Sequence, residues 1–261
     1  MTKRFIDNRL KLAFIISAWI DGEFNLPKLD FPSLPVDVGF TPQSSAAVLR
    51  EEWDLGYKPI DNMIHLLESK GVRVFSLQED TNNIDSFSFW ENNKAYCFIN
   101  NYKSSESSRF DTARELGHLV MNKNKESKYK TAEREADDFA YNFLMPEEDV
   151  KAYFSNSFSS VPRVCTLEHL VNCKKRWKVS LSALNYRLYQ LKIFPEWHYR
   201  NFCIQISRQG FRTKEPESIK REKSLVFEKV FTTLWREKKK KSSVAKKLGI
   251  IEEEFDAMTF L

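Results

Sequence analysis

Apolar and polar positions along the chain fall into short periodic runs, each a few helical turns or one strand long. Leu12, Ile15, Ile16 and Trp19 recur at i, i+3, i+4 and i+7, which predicts an amphipathic helix over 12–20. A connector punctuated by Pro27, Pro32, Pro35 and Pro42 follows. Helical periodicity resumes over 44–53, with Ser44 or Ser45 as its cap. It resumes again over 59–69, where Pro59 suits the first turn and Gly71 the stop. Residues 72–77, 86–90 and 95–100 alternate as strands, and Glu91-Asn-Asn-Lys between the last two is a hairpin loop. The expected sheet is small and antiparallel. Two helices come next, over 107–121 and 132–145, separated by a charged loop at 122–130. Pro146 disfavours helical geometry before it and ends the second. Beyond a Ser-rich break at 155–160 the pattern gives helices at 167–177 and 180–191 and a β-prone stretch at 202–207. A charged linker at 212–223 and two final helical stretches complete it, with no internal repeat.

Composition narrows the class. The 261 residues are 42% hydrophobic and 30% charged with only 7 Gly and 9 Pro, which excludes collagen-like and low-complexity chains. A mean hydropathy of −0.50, with no apolar run near membrane-spanning length, excludes a transmembrane helix. Lys3, Arg4, Arg9 and Lys11 before the apolar stretch give a superficial export signal. Asp7 and Asn8 interrupt it, and Asp21-Gly-Glu stands where small cleavage-site residues belong. Cys97, Cys165, Cys173 and Cys203 show no C-x-x-C spacing, so neither a disulfide framework nor a zinc finger is expected. A reducing cytoplasm fits this usage. The net charge of +5 is too mild to mark a nucleic-acid binder by itself.

The chemistry concentrates in the two central helices. The first reads S-S-R-F-D-T-A-R-E-L-G-H-L-V-M, placing Glu115 and His118 three residues apart on one side, with position 114 one turn before His118. A zinc peptidase would have H-E-x-x-H there: two imidazoles on the metal and the glutamate as general base. Here the first histidine is Arg114. Alone, E-x-x-H is an ordinary surface ion pair or core histidine. The second helix reads A-E-R-E-A-D-D-F-A-Y-N-F-L-M-P, with an apolar stripe of Ala136, Ala140, Phe143 and Leu144 and with Glu133 and Asp137 at i, i+4 on its edge. Either acid could complete a metal set while the other orients a ligand, although an acidic helix start also suits the macrodipole. Packing of Phe110, Ala113, Leu116 and Gly117 against that stripe is expected, with Gly117 allowing close approach.

Together the helices resemble the ImmA/IrrE family of zinc metallopeptidases, whose hallmark is H-E-L-G-H followed by a helix of the form E-x-x-A-N-x-F-A-x-x-L-L-M-P. This chain supplies R-E-L-G-H-L-V and E-R-E-A-D-D-F-A-Y-N-F-L-M-P. L-R-E-E-W-D-L-G-Y-K-P-I-D-N-M-I-H-L-L-E-S-K-G-V-R-V is similar to the family's lead-in helices, and I-D-S-F-S-F and Y-C-F-I-N-N are similar to its strands. W-K-V-S-L-S-A-L through R-Q-G-F-R-T-K-E-P resembles the tail of longer members, so the likeness runs over about residues 40–261. It implies an α+β metallopeptidase fold with a mostly helical C-terminal domain. The expected divisions are 1–43 for the first helix and connector, 44–155 for the peptidase domain and 156–261 for the C-terminal domain. The amino-terminal helix-turn-helix domain of longer relatives is not expected in this chain.

Carried over by position, the resemblance makes His118 a zinc ligand, Glu115 the general base and Glu133 the third protein ligand. Asp137, where the family usually has Asn, supports from outside, and Glu135 rivals Glu133. Arg114 is the departure. A guanidinium does not deprotonate and offers no lone pair to a metal. Zinc, the family's cofactor, is therefore expected to bind weakly or not at all, and Arg114 is expected to pair with Glu133 or Glu115. The residue could be native or could arise from a histidine codon by one base. The resemblance implies action on a helix-turn-helix repressor or antitoxin, in a toxin–antitoxin or phage regulatory setting. That action is either as an impaired zinc endopeptidase or as an inactive relative that works by binding.

Other features weigh less. Lys238–Lys241 with Lys246 and Lys247 form a basic cluster whose ordinary reading is a solvated helix end, so direct nucleic-acid binding is not expected. S-S-V-A-K-K-L-G-I-I-E-E-E-F has the look of half a helix-turn-helix without a completed recognition helix. His65, His169 and His198 read as structural, Cys97 as a small core residue, and Trp177 and Trp235 as packing residues.

Overall fold

The structure, a computed structural model, describes residues 2–36, 39–77, 86–121, 129–158 and 165–260. Most of the loop expected at 122–130, and residues 159–160 of the expected Ser-rich break, lie outside these. The fold is α+β. It divides into two compact units, each assembled from separated stretches: Met1–Phe31, Asn62–Lys103 and Glu222–Leu261 in one, Pro32–Asp61 and Ser104–Arg221 in the other. These units cut across the three consecutive segments expected from the sequence.

The first unit holds α1 (Thr2–Glu23), α3 (Met63–Ser69), β1 (Arg73–Leu77), β2 (Phe87–Glu91), β3 (Lys94–Asn100), α10 (Leu225–Arg236), α11 (Lys241–Leu248) and α12 (Glu252–Met258). Its sheet is mixed, not antiparallel throughout. The strand order is β1-β3-β2, with β1 parallel to β3 and β2 antiparallel to β3. Alternation along a strand fixes which side chains share a face but not which neighbour it takes. The β2–β3 turn is the expected hairpin: Asn92 and Asn93 both take positive φ, 49° and 59°, as a two-residue hairpin loop requires. Aromatic rings bind the sheet across its strands, Phe87 stacking on Phe98 at 4.7 Å and Phe89 on Tyr96 at 5.2 Å.

In α1 the buried face is Leu12, Ala13, Ile16, Ser17 and Ile20, whereas Ile15 is 41% exposed. The helix is thus rotated from the face expected through Ile15 and Trp19. Pro59 does not start α3, which begins at Met63 with Asn62 as its cap. Two carboxylates, the buried Glu68 and the half-buried Glu222, clasp α3 to α10. Glu222 accepts from the Met63 amide at 2.9 Å, while Glu68 near the end of α3 accepts from the Ser224 hydroxyl and from the Leu225 and Val226 amides at 2.9 and 3.1 Å. Each helix start is capped by an acid from beside or within the other, satisfying amides that have no partner inside their own helix. Gly71, at φ 85°, lies so close to the Leu29 backbone that a Cβ would sit 2.6 Å from it. No side chain fits there.

The second unit contains α2 (Pro42–Glu52), α4 (Ser105–Met121), α5 (Tyr129–Leu144), α6 (Glu147–Phe158), α7 (Leu167–Trp177), α8 (Leu181–Gln190) and α9 (Glu196–Arg208). The cap of α2 is Thr41, in a reciprocal capping box with Ser44, and Pro42 occupies the first turn. Helix α6 was not expected. Its first turn carries Glu147, Glu148 and Asp149, favourable charges at a helix start, and it runs into the stretch expected as a break. The β-prone stretch at 202–207 is helical, within α9, because Phe202 and Ile206 at i, i+4 bury one face. Thr166 and Ser180 cap α7 and α8, their hydroxyls accepting from the His169 and Ala183 amides. Trp177 is fully buried, but Trp235, expected to pack, is 80% exposed. After α11 the chain does form a second short helix, α12, across Gly249 in the left-handed conformation.

Candidate functional site

Helices α2, α4 and α5 pack together, and the α4–α5 seam follows the apolar stripes. Ala113, Leu116, Ala136, Phe139, Ala140, Phe143 and Leu144 are all buried. Phe110 is half-buried and meets the Tyr141 ring at 4.8 Å. Gly117 allows the close approach expected of it, against Phe139: an added Cβ would stand 2.9 Å from Phe139 Cδ1. Arg50 ties α2 and the loop after it to the end of α5, donating to the carbonyls of Gly56, Lys58 and Phe143 at 2.7, 2.5 and 2.5 Å.

This packing brings the polar edges of α4 and α5 face to face. His118 Nε2 lies 3.3 Å from Glu133 Oε1. The Arg114 guanidinium stands among carboxylates, 3.5 Å from Glu115, 3.7 Å from Glu133 and 3.8 Å from Asp111. These distances are ion-pair contacts, longer than the hydrogen bonds expected for Arg114. Its Nε is buried without an acceptor among the described residues. Burial opposes the Arg114 charge. Asp111, Glu115, Glu133 and Asp137 outweigh it, so the guanidinium is held above its ordinary range. Burial pushes His118 below the ordinary histidine value; Glu133 pulls it up and Arg114 pushes it down. The imidazole is therefore neutral at pH 7. Burial also raises Asp137, with Arg114 opposing and Glu133 and Asp111 adding to the rise.

Arg114, Glu115, His118, Glu133 and Asp137 thus surround one place, while Glu135 is not among the charges acting on Arg114. Asp111 joins them and was missed from the sequence, although its i, i+3 spacing to Arg114 was the available signal. Among the described residues, no group of three or more His, Cys, Asp and Glu side chains is placed to hold a metal ion. The donors that fit zinc are His118 and Glu133, two where a catalytic site supplies three. The third position is filled by a side chain that only donates hydrogen bonds and carries the wrong charge. The residues present do not fit the ion.

An E-x-x-H helix packed against an acid-bearing helix in an α+β chain is the scaffold of a metallopeptidase-like protein. Residues 67–189 match the IrrE N-terminal-like domain of the M78 peptidases. The match places that stretch of the chain with the ImmA/IrrE family. The matched segment is narrower than the 40–261 over which the sequence resembles it. No curated protein matches the chain. Among the described residues no helix is long and apolar enough to cross a membrane.

Proposed function

We propose that this IrrE-like domain acts by holding a protein partner and not by hydrolysing one. The observation that supports this reading is Arg114 among Asp111, Glu115, Glu133 and Asp137. A fixed internal cation balances the carboxylates that a divalent ion would otherwise neutralise. The helix pair then keeps its shape through packing, with zinc weakly bound or absent. The partner that the family resemblance suggests is a helix-turn-helix repressor or antitoxin in a cytoplasmic regulatory module, and the four free cysteines suit a reducing compartment. A second reading is a zinc endopeptidase impaired at Arg114. It is favoured by Glu115 and His118 standing where a general base and a ligand belong.

Metal analysis after zinc titration, beside an Arg114→His variant, tests the choice. The unaltered protein should retain far less than one zinc, and Arg114→His should retain about one per chain. Adding Glu115→Gln to that variant should keep the zinc and leave a repressor substrate uncut. Chelator-sensitive, Glu115-dependent cleavage by the unaltered protein would overturn the binding-only reading.

A further inference from the structure

A second feature lies in the first unit, at the turn from α10 into α11. Phe231, Leu234, Trp235, Lys238, Lys240 and Lys241 line a cavity of about 770 Å³ there, with Glu252 at its edge. Residues 235–247 carry seven basic side chains against one acid, Glu237. Lys241 is engaged by Asp256 at 2.6 Å and Lys239 by Glu237 at 2.7 Å. Arg236, Lys238 and Lys240 are exposed and have no ion pair among the described residues. Lys238 holds a left-handed φ of 57°, a conformation that glycine adopts without steric cost. That conformation closes the end of α10, where the Lys238 amide donates to the Trp235 carbonyl at 3.0 Å and the Lys239 amide to the Leu234 carbonyl at 2.9 Å. The Trp235 indole, 80% exposed, stands open beside these cations. From sequence alone the lysines read as a solvated helix end and Trp235 as a packing residue.

We propose that this groove binds single-stranded nucleic acid, with phosphates on Arg236, Lys238 and Lys240 and a base stacked on Trp235. Cations that follow a backbone beside an open aromatic face are the two elements such recognition needs. Duplex binding by α11 and α12 as a helix-turn-helix is disfavoured. The helix that would enter the major groove opens with Glu252, Glu253 and Glu254, which repel phosphates. An acidic peptide would satisfy the cations but leave the indole unused. The proposal stands apart from the α4–α5 site and does not depend on it.

Fluorescence anisotropy of the full chain with a labelled oligothymidine of about twenty nucleotides, over a series of salt concentrations, tests it. Binding should weaken steeply with salt. Trp235→Ala should weaken it by about tenfold, the scale of losing one stacked base. Lys238→Glu with Lys240→Glu should lower both the affinity and the salt slope. Trp197→Ala removes an indole that is also exposed, at 63%, and should change nothing. Circular dichroism confirms that each variant is folded. The proposal is overturned if the oligonucleotide shows no salt-dependent binding, or if Trp235→Ala binds as the parent does. Polyglutamate or a duplex of equal length binding as tightly would overturn it too.

Discussion

Lys174 Nζ lies 3.1 Å from Glu106 Oε1, with both side chains shut off from solvent. Glu106 also accepts from the Ser218 hydroxyl at 2.9 Å and the Ile219 amide at 2.9 Å, and Lys174 meets Glu215 at 3.2 Å. The pair therefore ties the charged linker after α9 to the start of α4, the helix that carries His118. A buried pair of this kind adds little net stability over apolar replacements, but removing one partner strands the other. Lys174→Met alone should cost about 3–5 kcal/mol. Replacing Lys174 by Met together with Glu106 by Gln should restore part of the loss. Urea unfolding followed by far-UV circular dichroism, with protease sensitivity across 212–223 as a local probe, reads both.

The α4–α5 seam sets a steric test. Gly117→Ala gains about 1 kcal/mol of helix propensity but forces a methyl onto the Phe139 ring. Overpacking of a buried seam costs about 1–3 kcal/mol, so a net loss is expected. Adding Phe139→Leu, which empties the space at Cδ1, should recover most of the Gly117→Ala loss. Phe143→Ala, fully buried, should cost about 3–5 kcal/mol in the same unfolding assay.

Glu68 predicts a pH dependence. Burial pushes its carboxyl up to about 7, against the opposing hydrogen bonds from Ser224, Val226 and Leu225 and the charge of Lys229. The folded value lies above the unfolded one, so the folded state binds the extra proton between the two. Stability from this group is full below about pH 4.5 and is lost as pH rises to about 7, by at most about 3 kcal/mol. Glu68→Gln should flatten that part of the profile of midpoint against pH. If the difference between parent and variant does not change over this window, the assignment is wrong.

Arg114 and His118 are electrostatically opposed. Arg114→Gln removes a neighbouring cation, so the His118 titration should move upward. Proton NMR of the four imidazoles against pH reads this directly. The same variant leaves Asp111, Glu115, Glu133 and Asp137 without their shared counter-charge, and should lower stability at pH 7 more than at pH 4. An unmoved His118 would mean that the guanidinium does not act on it.

Local signals in the sequence were enough for the helices that carry the site, the hairpin at Asn92–Asn93 and the family resemblance carried by R-E-L-G-H and the helix after it. Each is a local signal: a 3.6-residue period, a turn residue that tolerates positive φ, or a motif contained in one helix. The tertiary structure alone decided what those signals could not reach. It gave β1 a parallel neighbour, turned Ile15 outward, drew 202–207 into a helix and left Trp235 in water. It also made Glu68 and Glu222 cap each other's helices and placed Asp111 and Glu133 around Arg114. Each of these depends on which distant segment lies across from a residue. An apolar period states that a face is buried, but the partner, the rotation and the charge balance follow only when the faces meet.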